Sequence, residues 1–330
     1  MMNKQPNKIK ESPLFWPAKL KGDTLKVLDE TQIPVKVTYL DVKTTGDAVK
    51  VIRQMKTRAF GQFLVVLNTF LLELKTNTAL SDKALLLKLK KTAERLNNSR
   101  PTFPFSEVTS IVIHWAKDAI DKKQDIREIV SLNIEGYLKG IRYRRLDRVN
   151  RIANLIQNGD SILTHCNVSG ELAMASNIAF NQNKKIHYFA TETRPYMQGS
   201  KLTSWELKRM GADVTLIADN AIGSVMSDGL VNKVIVGSDR SCANGDFANK
   251  IGTYQIAILA KEFNIPFYVL TQPSNKIKTG EDIPIEIRNA NELLMFYKKK
   301  IVSGVINGFY PGFDVIPNEL ITETIPINVN

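Results

Sequence analysis

Residues 161–170, with the sequence SILTHCNVSG, combine a short apolar run, a polar turn and the start of a helical pattern. Similar apolar runs recur at residues 185–190, 213–217, 233–236 and 266–270. Helical patterns separate them, at residues 170–181, 202–210, 220–227 and 249–263. Strands of four to six residues that alternate with helices are typical of βαβ units. The sequence therefore predicts a doubly wound parallel sheet.

The part of the chain before this alternation has a different pattern. Residues 25–28 and 35–42 are rich in apolar and β-branched side chains, which predicts a hairpin. Helical patterns follow at residues 46–74, from Ser81 to residue 96, and at residues 107–121 and 125–157. A chain of 330 residues usually forms two domains. We predict an α/β protein in which a small β-plus-helical-bundle domain, residues 1–145, precedes a Rossmann-like catalytic domain, residues 146–330.

The charge of the chain favours an anionic partner. Lysine and arginine number 45 against 33 acidic residues, which gives a formal net charge of +12. Much of the lysine is spread along a solvated helix face, and no stacking aromatics interleave with a basic patch, which argues against nucleic acid. The longest apolar stretch, residues 63–72, is too short to cross a bilayer. Two cysteines and an N-terminus without an apolar core predict a cytoplasmic protein. A membrane surface and a phosphorylated metabolite both stay open as the anionic partner.

Potentially reactive side chains follow the predicted strands, at the edge where open α/β sheets bind ligands. Cys166 precedes a helix start, which lowers the pKa of a thiol and suits a base or nucleophile; a small buried core residue is the alternative. Asp239 follows an apolar strand, where partial desolvation raises the pKa of a carboxyl and suits a general acid. A helix cap or an ion pair with Arg240 is the alternative for Asp239.

Residues 244–252, NGDFANKIG, resemble a phosphate-holding turn in which a helix N-terminus is combined with Lys250. The spacings of a Walker loop and of a dinucleotide fingerprint are absent from the sequence. His165 and Cys166 are neighbours that point to opposite faces of a strand, and no second ligand lies at metal spacing. We therefore expect no metal and no cofactor, and structural roles for His114 and His187.

Taken together, these segments resemble the 5-methylthioribose-1-phosphate isomerase family. Its superfamily also holds ribose-1,5-bisphosphate isomerases and regulatory subunits of a translation-initiation nucleotide-exchange factor. The matching segments are residues 162–167 (ILTHCN), 192–199 (ETRPYMQG), 202–207 (LTSWEL), 236–240 (VGSDR), 243–254 (ANGDFANKIGTY) and 313–322. Matches at residues 28–34, 55–58 and 99–102 extend the likeness to most of the chain.

The resemblance implies an aldose–ketose isomerase that converts a ribose 1-phosphate to a ribulose 1-phosphate without a cofactor, as a homodimer. It implies catalytic roles for Cys166 and Asp239. It also implies substrate contacts at Arg58, Ala59, Arg100, Gln198, Asn249 and Lys250.

Two departures from the family pattern concern the sugar's 5-substituent. The family continues from the residue matching Arg58 as Gly-Ala-Pro-Ala, whereas residues 59–62 here read AFGQ. After Arg100 the chain reads PTFP where the family has Ala-Val-Asn after the threonine. This branch resembles 5-deoxyribose-1-phosphate isomerases, so we expect 5-deoxyribose 1-phosphate as substrate and 5-methylthioribose 1-phosphate as a possible second one. Phe60 and Phe103 favour an apolar group at C5, with core packing as the alternative.

Two rival functions follow from the same superfamily. A ribose-1,5-bisphosphate isomerase would need extra basic residues facing C5. A noncatalytic regulatory subunit of a translation-factor complex would bind sugar phosphate or nucleotide, but such relatives tend to lose the Cys/Asp pair that this chain keeps.

Overall fold

The computed structural model describes residues 10–101, 103–272, 276–296 and 299–327. Thr102, which belongs to one of the segments that match the family pattern, lies outside these ranges. The chain divides into two compact units, residues 13–143 and residues 144–330, and the described residues 10–12 group with the second. The predicted division at residue 145 assigned residues 10–12 to the first domain. They group with the second because Lys10 Nζ donates to the Arg209 carbonyl at 2.6 Å and Ser12 Oγ to Glu206 Oε2 at 2.8 Å.

The unit of residues 13–143 combines an antiparallel sheet with helices. Its strands are β1 (Ala18–Lys21), β2 (Thr24–Leu28) and β3 (Tyr39–Val42), in that spatial order. Its helices are α1 (Thr45–Arg53), α2 (Ala59–Thr76), α3 (Asp82–Asn97), α4 (Phe105–Asp121) and α5 (Ile126–Leu155), of which α5 ends beyond the unit boundary. The predicted hairpin is confirmed by the pairing of β2 with β3, and Ser81 caps α3 as predicted.

The prediction of a single helix over residues 46–74 is wrong, because a non-helical segment separates α1 from α2. Met55 adopts a left-handed backbone, with φ of +51°. Thr57 hydrogen-bonds the buried Glu30 carboxylate, and the Arg58 backbone is extended. Side chains of α2 such as Leu64, Leu67 and Phe70 then fill the core of this unit.

The second unit contains a six-stranded parallel sheet with helices between its strands. In chain order its elements are β4 (Ser161–Thr164), α6 (Glu171–Asn181), β5 (His187–Thr191), α7 (Ser204–Arg209), β6 (Asp213–Ile217), α8 (Ile222–Ser227), β7 (Lys233–Gly237), β8 (Arg240–Ser241), β9 (Phe247–Lys250), α9 (Thr253–Glu262), β10 (Phe267–Leu270), α10 (Asn291–Leu294), β11 (Met295–Phe296), β12 (Lys299–Lys300), β13 (Phe313–Ile316) and β14 (Glu323–Thr324). The strand order in the main sheet is β14-β10-β7-β4-β5-β6, and every neighbouring pair is parallel. The predicted doubly wound sheet is confirmed.

This strand order places a topological switch point between β4 and β7. From β4 the chain winds outward through β5 to β6, and from β7 it winds outward in the other direction through β10 to β14. Loops that leave the two central strands diverge at such a point and open a crevice at the carboxyl edge of the sheet. The fold therefore favours a ligand site beside the ends of β4 and β7.

The helix predicted over residues 249–263 begins later than expected. Residues 247–250 form β9, which pairs with β13 and β8 in a separate three-stranded antiparallel sheet. Gly252 has φ of +103°, and Asp314 Oδ2 accepts from the backbone N–H groups of Gly252 and Tyr254 at 2.6 and 3.0 Å. Asp314 thus satisfies free N–H groups at the start of α9. None of the helices in the described ranges is both long and apolar enough to span a membrane.

Candidate active site

Cys166 and Asp239 lie on either side of the switch point. Each follows the last residue of its strand by two positions, and β4 pairs directly with β7. The two loops are in close contact, because a Cβ added to Gly237 would come within 3.0 Å of Val168 Cγ1. Both side chains are half-buried. The structure therefore places Cys166 and Asp239 after neighbouring strands, at the same edge of the sheet.

The backbone at Cys166 adopts an uncommon conformation. Its φ is +61°, and Ser169 in the same loop has φ of +50°. Non-glycine residues rarely occupy this left-handed region, and when they do the surrounding structure must hold them there. The Cys166 N–H donates to Thr193 Oγ1 at 3.1 Å, and its carbonyl accepts from Thr203 Oγ1. Two buried threonines therefore fix the peptide groups on both sides of the thiol.

Asn167 extends this support to the helical segment that includes α7. Its amide nitrogen donates to Glu206 Oε1 at 2.6 Å and to Thr203 Oγ1 at 3.0 Å. Its amide oxygen accepts from the Ser169 N–H at 2.9 Å. The loop that carries Cys166 is thus anchored by side chains from outside the loop.

A buried ion cluster lies behind the same loop. Glu171, at the start of α6, accepts from Arg145 Nε at 2.5 Å and from Arg148 Nε at 2.6 Å, and all three side chains are at most 5% exposed. Burial disfavours the Glu171 carboxylate, but the two guanidinium groups more than offset it and hold its pKa below the ordinary value. Arg145 also donates to the Ser169 carbonyl and Arg148 to the Thr271 carbonyl, which ties the loops after β4 and β10 to α5.

The loop after β7 is held mainly by main-chain pairing. The Asp239 N–H donates to the Ala248 carbonyl at 2.9 Å, and Arg240 and Ser241 of β8 pair with β9. Ser238 Oγ adds a bond to the Arg240 carbonyl at 2.8 Å. Asp239 therefore extends from the edge of a small antiparallel sheet.

Asn249 and Lys250 lie on β9 rather than at a helix N-terminus, which corrects the predicted phosphate-holding turn. Both are buried. Lys250 Nζ donates to the Gly312 carbonyl at 3.1 Å and lies 4.9 Å from the centre of the Phe313 ring. Asn249 Nδ2 donates to Thr253 Oγ1 at 3.0 Å. A buried ammonium group of this kind suits an anionic ligand.

Gln198 holds an unsatisfied acceptor near the end of β5. Its side chain is 5% exposed, and its amide oxygen has no hydrogen-bond partner among the described residues. The next residue, Gly199, packs so closely on β5 that an added Cβ would lie 1.7 Å from the Thr191 carbonyl oxygen. A buried acceptor without a partner is suited to a ligand hydroxyl.

His165 has a positioning role that the sequence did not indicate. Its Nε2 donates to the Ile251 carbonyl at 2.9 Å, so Nδ1 accepts from Thr191 Oγ1 at 2.6 Å. Burial lowers the pKa of His165, and the nearby Lys250 charge lowers it further, against the opposing effect of the Ile251 carbonyl. The neutral ring joins the end of β4 to the segment that follows Lys250.

The predicted arginines of the first unit are organised around Gln62. Arg58 precedes α2, which begins at Ala59, and its N–H donates to Glu30 Oε1 at 3.1 Å. Arg100 Nη1 donates to Gln62 Oε1 at 3.1 Å, while the Gln62 amide nitrogen donates to the Thr57 carbonyl at 3.0 Å. Within this unit, one buried glutamine therefore links Arg100 to the turn before Arg58.

The two phenylalanines near these arginines have different surroundings. Phe60 packs edge-on against Trp16, with ring centres 5.6 Å apart, and stacks on Phe63 at 6.1 Å. The Arg100 guanidinium lies 5.0 Å from the centre of the Phe103 ring. Core packing therefore accounts for Phe60. Phe103 also packs on this core, with its ring centre 5.0 Å from that of Phe105, and in addition provides an apolar face beside a predicted substrate arginine.

Several known proteins are similar to this chain in sequence and in structure. The sequence model of the Initiation factor 2 subunit family matches residues 62–326. Methylthioribose-1-phosphate isomerases from Petrotoga mobilis and Carboxydothermus hydrogenoformans are each 38% identical to the chain; the matches cover 92% and 94% of it, and 91% and 93% of the relatives. The predicted family resemblance is thereby confirmed.

Two solved structures share the whole architecture. One is the 5-methylthioribose 1-phosphate isomerase from Pyrococcus horikoshii OT3, with a TM-score of 0.82 and 28% identity over 97% of this chain and 94% of that one. The other is the translation initiation factor eIF-2B subunit delta from A. fulgidus, with a TM-score of 0.81 and 32% identity over 95% and 94%. The chain therefore belongs to the Initiation factor 2 subunit family, within which it is an aldose–ketose isomerase.

Proposed function

We propose that the enzyme converts a 5-substituted ribose 1-phosphate to the corresponding ribulose 1-phosphate. 5-Deoxyribose 1-phosphate is its preferred substrate and 5-methylthioribose 1-phosphate a second one, in the salvage of 5-deoxy sugars and methylthioadenosine. The observation that carries the proposal is the position of Cys166 and Asp239 after the paired strands β4 and β7, together with the bond from the Asp239 N–H to Ala248, two residues before the buried Lys250. The names of the similar isomerases support a ribose 1-phosphate as the substrate class.

Ring opening requires an acid. Phosphate on C1 prevents the sugar from opening spontaneously to a free aldehyde, so the ring oxygen must be protonated as its bond to C1 breaks. Asp239, half-buried at the crevice, is the group we assign to this step. The C2 hydroxyl later loses its proton as the ketone forms, and return of that proton to Asp239 restores the enzyme.

Hydrogen must then move from C2 to C1, and two routes are open. In the first, the Cys166 thiolate removes the C2 hydrogen as a proton, and the enolate-type intermediate receives a proton at C1. In the second, the C2 hydrogen shifts as hydride to the electron-poor C1, and Cys166 shapes the pocket. In deuterated water, solvent deuterium at C1 of the product would support the proton route and is incompatible with the hydride shift. Absence of deuterium fits both routes, because a base that is shielded from solvent can return to C1 the proton that it took from C2.

The remaining predicted residues carry groups suited to contact the phosphate and the sugar hydroxyls. Each of the residues Lys250, Arg58 and Arg100 has a cationic group of the kind that suits a phosphate or charge that develops in the transition state. The Ala59 N–H belongs to the first turn of α2, where backbone donors lack helical partners. The buried amide groups of Gln198 and Asn249 suit sugar hydroxyls.

An apolar 5-substituent is supported by the residues that depart from the family pattern. Phe103 covers the Arg100 guanidinium, and Gln62 takes up one of its donors. At least one N–H donor of Arg100 is therefore already used in a hydrogen bond within its own unit. This disfavours binding of a second phosphate, at C5, by Arg100. On the same grounds ribose-1,5-bisphosphate isomerase is a weaker assignment, and retention of Cys166 and Asp239 disfavours a purely regulatory subunit.

Assays of the purified protein with three substrates test the proposal. We expect kcat/KM to be highest for 5-deoxyribose 1-phosphate, lower for 5-methylthioribose 1-phosphate and at least about 100-fold lower for ribose 1,5-bisphosphate, because burying a second unpaired phosphate is costly. A preference for the bisphosphate would overturn the assignment of the 5-substituent. Absence of turnover with all three would overturn the proposed function as a whole.

Assembly and location complete the proposal. We infer a homodimer that works in the cytoplasm, where Cys166 and Cys242, which form no disulfide, stay reduced. Light scattering should give about twice the 37.1 kDa chain mass. A monomer at micromolar concentration would contradict this.

A further inference from the structure

Main-chain contacts hold Tyr310, which lies close in sequence to a residue that contacts Lys250. Its carbonyl accepts from the Arg288 N–H at 2.9 Å, and the following Pro311 forms a β-bridge with Ile287. Two residues further on, the Gly312 carbonyl accepts from Lys250 Nζ. Tyr310 is therefore two residues from a direct partner of a predicted substrate-binding lysine.

The Tyr310 hydroxyl is a buried polar group without a partner. The side chain is 3% exposed, and none of the described residues hydrogen-bonds its hydroxyl. Leaving a buried hydroxyl unpaired is costly, so such groups are uncommon and call for an explanation.

The neighbouring polar groups are satisfied among themselves. Tyr196 donates to Glu292 Oε1 at 2.6 Å and accepts from Arg288, whose guanidinium also bonds Glu286 and Glu292 at 2.7 Å. Four of the five N–H donors of Arg288 thus have partners in this cluster, and the Tyr310 hydroxyl is not one of those partners.

The charged and titratable groups around Tyr310 include the Cys166 thiol. Burial raises the pKa of Tyr310, Arg288 opposes this, and Tyr196, Glu292 and Cys166 raise it further. The hydroxyl is therefore within electrostatic range of the Cys166 sulfur and keeps its proton at physiological pH. It is available as a donor.

We propose that Tyr310 is a substrate-contacting residue, and that its hydroxyl donates a hydrogen bond to an oxygen atom of the bound sugar 1-phosphate. The proposal rests on the proposed function and adds a donor to its site. Tyr310 complements Gln198, whose buried amide oxygen accepts. In the free enzyme neither the Tyr310 hydroxyl nor the Gln198 amide oxygen has a hydrogen-bond partner among the described residues, and the bound substrate supplies one to each.

The variant Tyr310→Phe tests this, because it removes one hydroxyl and keeps the ring. With whichever of the three sugar phosphates the wild type turns over fastest, kcat/KM should fall about 10- to 100-fold, the size expected for one lost hydrogen bond to a polar or charged oxygen. The melting temperature of the free protein should stay the same or rise, since an unpaired buried group is lost.

Tyr188→Phe is the matched control. Tyr188 is fully buried on β5, and its hydroxyl pairs with Ser176 Oγ at 2.6 Å. This variant should lower the melting temperature by about 2 °C and leave kcat/KM unchanged. Unchanged kcat/KM in Tyr310→Phe, or a loss of activity accompanied by a lower melting temperature, would refute the proposal about Tyr310 alone. An inactive wild type would instead refute the proposed function on which it rests.

Discussion

The loop after β4, residues 165–170, and the loop after β7, residues 238–241, face each other across the switch point, and each carries one of the two proposed catalytic residues. In the first loop Cys166 has a left-handed backbone and is held by side chains of Thr193, Thr203 and the Arg145–Arg148–Glu171 cluster. In the second loop the Asp239 N–H bonds directly to the neighbouring strand β9.

This difference indicates where each residue is vulnerable. Main-chain hydrogen bonds of a sheet do not depend on which side chains are present, so the position of Asp239 should tolerate substitutions around it. The position of Cys166 depends on particular buried polar side chains in other elements, and their loss leaves unsatisfied groups. Changes remote from the crevice should therefore affect the thiol more than the carboxyl.

The largest effect on activity is expected for Asp239→Asn. The amide cannot protonate the ring oxygen, so kcat should fall by about 10³-fold or more, while substrate affinity and melting temperature stay near the wild-type values because the backbone pairing is kept. Steady-state kinetics, calorimetric binding and thermal unfolding measure the three quantities. Near-full activity of this variant would remove Asp239 from the acid role.

Glu171→Gln tests the remote support of Cys166. It leaves two buried arginines without a carboxylate, which we expect to lower the free energy of unfolding by about 3–5 kcal/mol. Activity should fall as well, because Arg145 also holds the Ser169 carbonyl. Denaturant titration gives the stability change, and kcat at a temperature well below the transition gives the activity change.

Asp147→Asn is the control for Glu171→Gln, since Asp147 forms a partly exposed pair with Arg151 on the same helix α5. Exposed pairs of this spacing contribute about 0.3–0.5 kcal/mol, so this variant should be almost neutral. If both variants lost similar stability, the ion cluster would have no special role in holding the loop.

A pair of smaller substitutions compares the two loops directly. Thr203→Val removes the donor to the Cys166 carbonyl and should cost about 1–3 kcal/mol and lower kcat by about 10-fold. Ser238→Ala removes a comparable side-chain bond, to the Arg240 carbonyl, but keeps the main-chain bond of Asp239. We expect it to cost about 1 kcal/mol or less and to change kcat less than about threefold. Equal effects on kcat would contradict the contrast between the loops.

Much of the sheet could be predicted because its signals are local. Apolar runs of four to six residues give β4 and β6 with their observed bounds, and the strand-end rule then selects Cys166 and Asp239. The left-handed backbone at Cys166 could not be predicted, because it is imposed by Thr193 and Thr203, which are distant in sequence.

The two errors near the site have the same origin. Residues 247–250 form a strand because β13, more than 60 residues later, pairs with them, and a short apolar segment alone does not distinguish strand from helix. The role of His165 likewise depends on Ile251, which lies 86 residues later in the sequence. Contacts between residues distant in sequence therefore determine both features, and the local sequence pattern does not contain them.

The last prediction concerns stability rather than activity, and it involves His165, which links the end of β4 to the segment after Lys250. Burial holds the pKa of His165 below its ordinary value, so below pH 6.5 the unfolded chain takes up a proton that the folded protein does not. Stability from this group is complete above that pH and is lost as pH falls toward the folded-state pKa, with a slope approaching about 1.4 kcal/mol per pH unit.

Unfolding free energies of wild type and His165→Gln, measured between pH 7 and pH 5, isolate this proton. Glutamine does not titrate, so the unfolding free energy of the variant should fall less steeply than that of the wild type as pH decreases. Loss of the imidazole also lowers the stability of the variant by an amount that does not depend on pH. The difference in slope counts protons and is unaffected by that amount. Parallel curves would mean that the folded protein accepts the proton on His165, and the ring would then not be the neutral link between β4 and the segment after Lys250 that its two hydrogen bonds indicate.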